Sequence, residues 1–85
     1  MILDAMTKAD AERLPSLEGQ SNPEIGSLHR WEDFSDGDHS FFVRPVAVNV
    51  RGCMAEVFGI RDGIVKPLGF EEFIRDGGRL RVLDE

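Results

Sequence analysis

Eighty-five residues with a net charge of −6 allow one domain that buries roughly 60–65% of its unfolded surface, leaving little room for a deep substrate cavity. A single cysteine, Cys53, excludes an internal disulfide and a CxxC metal site and fits a reducing compartment. No stretch approaches the roughly 20 apolar residues that span a bilayer, and Met1 to Met6 lack a basic region followed by an apolar run, so a soluble, cytoplasmic protein is expected.

The charge is unevenly placed. Residues 1–38 hold nine carboxylates against Lys8, Arg13 and Arg30 and account for the whole net charge, while residues 39–85 hold seven charges of each sign. That front half is unsuited to direct nucleic-acid binding and suited either to a basic partner or simply to solubility.

Taken in order, Thr7-Lys8-Ala9-Asp10 has the hydroxyl-x-x-acid pattern of a helix start, and Pro15 stops the helix after about two turns. So short a helix, Lys8 to Leu14, depends on docking Ala9, Ala11 or Leu14 on something larger. Pro15 to Ser27 is rich in Pro, Gly and Ser and reads as a loop or linker, so that residues 1–27 form a helix plus a segment whose composition permits mobility. Leu28 to Phe34 suits a strand, because Ser35-Asp36-Gly37-Asp38 is a strong turn and Phe41-Phe42-Val43 can return alongside. Pro45 should bend or bulge the strand that follows.

Val46 to Ile60 reads as a β-hairpin. With Arg51-Gly52 as a two-residue loop, Val50 would face Cys53, Val48 would face Ala55 and Val46 would face Val57, giving one wholly apolar face. Asp62-Gly63 signals a second tight turn that brings Val65 opposite Ile60. Phe70, Phe73 and Ile74 then form one stripe at helical spacing, with Glu71 and Glu72 in a first turn and Gly77 as the closing residue, predicting a helix over 70–76. Arg79 to Leu83 is a closing strand with Leu80 and Val82 inward. The expected fold is α+β in one domain over 1–85. It is a small antiparallel meander of four to five strands, either curled into an SH3-like barrel or covered on its second face by the helices.

Little in the chain points to chemistry. A catalytic thiolate needs a helix N-terminus or a neighbouring cation to stabilise it, whereas Cys53 falls on the expected core face opposite Val50 as a small buried hydrophobe would, so no catalytic residue is assigned. His29 and His39 with Asp33, Asp36 and Asp38 match no standard metal spacing, and no phosphate-binding glycine pattern occurs, so neither metal nor cofactor is expected. The arginines at 44, 51, 61, 79 and 81 are interspersed with carboxylates and read as solvated charges.

Trp31, Phe34, Phe41 and Phe42 form the densest aromatic region, interleaved with carboxylates. Rings supply buried area and charges choose the partner, which suits a grip on a basic protein surface. The candidate contact set is Trp31, with Trp31 exposed, and Glu24, Glu32, Asp33, Asp36 and Asp38. The expected function is a non-enzymatic module that binds another protein, masking a basic, nucleic-acid-handling surface without touching nucleic acid or membrane itself. In size and acidity the chain is similar to phage-borne anti-CRISPR inhibitors, a likeness of composition alone. The alternative is an accessory or structural subunit of a larger bacterial complex, in which the acidic segment only solubilises.

Overall fold

Residues that accept positive φ shape two of the hairpins. Asp62 and Gly63 lie at φ 54° and 75°, the pair of left-handed conformations a type I′ loop requires, and they bring Val65 opposite Ile60 as the Asp-Gly signal predicts. Gly77 and Gly78, at 64° and 83°, make a similar two-residue loop that joins Asp76 to Arg79.

The computed structural model describes residues 3–31 and 40–83. A 3₁₀ turn at Leu3–Ala5 precedes helix α1 (Lys8–Glu12), and five strands follow: β1 (His29–Arg30), β2 (Ser40–Asn49), β3 (Gly52–Arg61), β4 (Ile64–Asp76) and β5 (Arg79–Val82). Each strand pairs antiparallel with the next, giving one sheet in the order β1-β2-β3-β4-β5. Among the described residues no helix is long and apolar enough to cross a membrane.

The sheet curls, and its alternation sends two sets of side chains to opposite faces. Phe41, Val43, Cys53, Ala55, Val57, Phe73 and Leu80 fill the concave side together with Leu17 and Trp31. Phe42, Phe58 and Ile60 face the other way and are covered by Met6 and Ala11 of the N-terminal segment. Across that second face Phe42 stacks on Phe58 at 5.1 Å and 15°. The sheet thus curls around one apolar face, and the N-terminal segment covers the other.

Helix α1 forms because Thr7 and Asp10 cap it reciprocally: each side chain accepts a hydrogen bond from the other's backbone N–H at 3.1 Å. The Thr7 backbone N–H, donating to the carboxylate, holds the Asp10 pKa below its ordinary value, with the Thr7 side chain acting in the same direction.

Residues 15–20 bridge the two edges of the sheet. Pro15 accepts from the Arg30 N–H at 2.9 Å and Leu17 donates to the Arg30 carbonyl at 3.0 Å, while Gln20 accepts from the Leu80 N–H at 3.2 Å. A segment expected as linker is thus a strap from β1 to β5, and Leu17 is fully buried beneath it.

Two expectations are corrected. The segment 70–76, expected as a helix, is the second half of β4. A seven-residue helix between glycines gains little, whereas a strand here satisfies its backbone along β3, and the left-handed glycine that would close a helix serves a type I′ loop equally well. The central hairpin also turns one residue earlier than expected. Asn49 pairs with Gly52 around a Val50-Arg51 loop, Val48 meets Cys53, Pro45 meets Ala55 and Val43 meets Val57. The Asn49 side chain fixes this turn by accepting from the N–H groups of Arg51 and Gly52 at 2.9 and 3.2 Å, and Val50 is left 89% exposed at its tip. Pro45 bends β2 as expected, through a register shift between Pro45 and Ala47.

Candidate functional site

Strand alternation decides which of the expected contact residues reach the surface. Trp31 follows β1 on the concave side, 7% exposed, and packs edge-on against Phe73 with ring centroids 5.7 Å apart. The expectation that it is an exposed anchor is therefore wrong: a ring of that size gains more from closing the end of a small core than from solvent contact. Glu24 is exposed in the loop before β1. Glu32, Asp33, Asp36 and Asp38, like His39 and Phe34, lie outside the described residues. Of that set the described residues place only Trp31, in the core, and Glu24, on the surface.

The other chemically capable groups are tied into the fold. Cys53 is buried on the concave side, where burial raises its thiol pKa and Arg75 opposes the rise. Thiol labelling of the native protein is expected to wait on unfolding and to accelerate with denaturant; rapid native labelling would contradict this placement. His29 is buried with its Nε2 2.7 Å from the Ser27 hydroxyl. Among the described residues no three His, Cys, Asp or Glu side chains converge as a metal site would require.

Most of the sheet arginines are engaged within the fold. Arg44 donates to Glu56 at 2.7 Å and lies over the Phe58 ring at 5.3 Å, and Arg81 meets Asp76 at 2.7 Å. Arg75 donates to the carbonyls of Asn49 and Ser21, tying the β2–β3 turn to the residue that follows the strap. They do not form an open basic patch.

What does reach solvent is a strip on β4. Strand β5 pairs only with Phe73 to Asp76, with one further bond from the Leu83 N–H to the Glu72 carbonyl, so Ile64 to Glu71 run on beyond it. On that stretch Ile64, Leu68 and Phe70 are 57%, 56% and 63% exposed. Phe70 stands opposite Glu56 on the convex side, diagonal to the exposed Met54, whose partner across the ladder is Glu72. Beside them a depression of about 390 Å³ lies among Ala47, Arg51, Met54 and Glu72. The N-terminal segment covers the Phe58 and Ile60 end of this face and stops short of the Met54 and Phe70 end.

A helical reading of 70–76 hides this strip, because it places Phe70 and Phe73 on one buried stripe. The signal that could have revealed it is Pro67 and Gly69 flanking Leu68, since sheet prolines belong to edges and strand glycines to bulges; the register shifts here, between Val57 and Phe58 on β3.

Comparison of the chain with protein-family models, with curated proteins and with solved structures returns no match.

Proposed function

We propose that this chain is a non-enzymatic protein-interaction module that docks through Met54 and Phe70 on the convex face. Its partner is a protein surface with an apolar pocket rimmed by Lys and Arg. The observation that carries the reading is the 63% exposure of Phe70 on a strand whose Phe73, three residues on, is fully buried. An exposed aromatic ring set in a rigid sheet is the kind of anchor that dominates interface energetics. Charge supplies the partner's sign: Glu72 adjoins Met54 and the whole chain carries −6, which repels a second copy and attracts a basic rim. Lys66, Pro67 and the bulge disfavour unselective strand addition along the same edge, which leaves recognition to the side chains. The reading includes a reducing cytoplasmic setting for the thiol of Cys53, and an SH3-like barrel made by the curl and the strap between β1 and β5.

A second reading keeps the acidic front half as the gripping surface, masking a basic, nucleic-acid-handling protein in the manner of an anti-CRISPR inhibitor. What favours it is the confinement of all the excess negative charge to residues 1–38.

One experiment separates the two. Wild type, Phe70→Ser and a quadruple charge reversal at Glu32, Asp33, Asp36 and Asp38 are used as parallel baits, and affinity for the captured protein is measured from low to high salt. Docking on β4 predicts binding weakened at least about 30-fold by Phe70→Ser and changed only modestly by salt. Binding indifferent to Phe70→Ser but lost on charge reversal and in high salt would replace the first reading with the second.

A further inference from the structure

His29 carries a proton arrangement that the docking surface does not use and on which the proposed docking does not depend. The Ser27 hydroxyl oxygen lies 2.6 Å from the Glu24 carbonyl oxygen, a separation that requires the hydroxyl proton to sit between them. Having donated that proton to Glu24, the Ser27 oxygen can only accept at 2.7 Å from the His29 ring, so the neutral imidazole carries its hydrogen on Nε2. The other nitrogen, Nδ1, is then a bare lone pair. It is buried and has no hydrogen-bond partner among the described residues, in a side chain only 5% exposed.

This ring sits where the strap meets the sheet. His29 is paired with Val43 on one side, and the next residue, Arg30, is bracketed by Pro15 and Leu17 on the other. We propose that His29 is a proton-operated latch: taking up a proton from solvent at Nδ1 releases the strap of residues 15–20 from the edge of β1.

A second ring proton creates an imidazolium in a site where no described carboxylate opposes it and where the Pro15 carbonyl, already engaged by the Arg30 N–H, is the acceptor at hand. Burying that charge costs more than swinging the ring into water. The swing breaks the Nε2 bond to Ser27 and takes the ring away from the Pro15 carbonyl, at the point where the strap pairs with β1. The charged groups on the elements packed around it are Arg30 on β1, Arg44 on β2, Glu18 on the strap, Glu24 in the preceding loop, and Lys8, Asp10, Glu12 and Arg13 on or beside α1. None of these sets the ring's acidity: burial lowers its pKa and the Pro15 carbonyl partly offsets the fall. Because the folded pKa is below the unfolded one, His29 contributes its full stability above about pH 6.5 and loses it as the pH falls from there toward the folded value.

The test is backbone amide exchange by NMR between pH 7.5 and 5, expressed as protection factors so that intrinsic rates cancel. Protection at Leu17 and Arg30 is expected to fall about tenfold per pH unit below about 6.5, the slope for uptake of one proton, while Val57 in the core holds its protection. His29→Gln, which keeps a donor near the Nε2 position and does not titrate, is expected to abolish the fall. Equal protection across the range, or a fall that persists in His29→Gln, would overturn the latch. Should that variant not fold, titration of the wild-type ring decides: a pKa below 6.5 that coincides with the loss of protection supports the latch, and one at or above 6.5 overturns it.

Discussion

Phe73→Ala is expected to remove about 3–5 kcal/mol of stability, whereas Phe70→Ala should change it by no more than about 0.5 kcal/mol. The difference rests on strand alternation. Phe73 is fully buried opposite Cys53 and packs edge-on with Trp31, so its loss leaves a cavity beneath three strands. Phe70 stands opposite Glu56 in solvent, and its removal vacates no interior space. For a chain of this length the total stability is on the order of 4–13 kcal/mol, so Phe73→Ala consumes a large fraction of it or all of it. Urea unfolding of both variants checks this, read as a shift in midpoint at constant slope. A helix over 70–76 would put both rings on one packed stripe and make their costs comparable. Similar losses for the two would therefore overturn β4 as described, and with it the exposed strip on which docking is proposed.

The contrast between those two rings also marks where the sequence was readable. Asp62-Gly63 and Thr7-Lys8-Ala9-Asp10 were legible because each satisfies its own backbone within four residues, so no distant partner has to be known. Pro45 was legible for the same reason, since its missing N–H disrupts a ladder whichever strand lies beside it. The segment 64–76 was not: a helical stripe and a strand with a bulge can both bury Phe73, and only pairing with β3 selects between them. The fate of Trp31 turned on Leu17 and Phe73, which are far from it in sequence and meet it only once the strap has closed the concave side. Glu24, in contrast, stayed exposed as a charged loop residue should. His29 offered no sequence signal as a latch, because its separation from the described carboxylates is a property of the packed neighbourhood.

Gly52→Ala is expected to cost about 3 kcal/mol or more, at or beyond the upper end of ordinary overpacking. Gly52 stands at the point where β3 leaves the Val50-Arg51 turn and lies against Ile74 of β4. A Cβ there would overlap the Phe73 carbonyl oxygen and come within 2.9 Å of the Ile74 Cα, and both belong to backbone that a rotamer change cannot move aside. The φ of 156° adds a conformation that side chains seldom adopt. Two other glycines separate these causes. At Gly63 an added Cβ meets open space but the φ of 75° remains, so Gly63→Ala should show backbone strain alone, about 1 kcal/mol. At Gly19 the nearest atom would be the Ser16 carbonyl oxygen at an ordinary 3.8 Å, so Gly19→Ala should change stability by no more than about 0.5 kcal/mol. Denaturant midpoints for the three variants are expected to fall in the order Gly52, Gly63, Gly19, with the first well apart from the others. The Asn49 hydrogen bonds and Arg75, which holds the Asn49 carbonyl, depend on the same close approach of turn to strand. If Gly52→Ala cost no more than Gly63→Ala, that approach would be absent, and the turn would revert to the Arg51-Gly52 register that the valine pattern alone suggests.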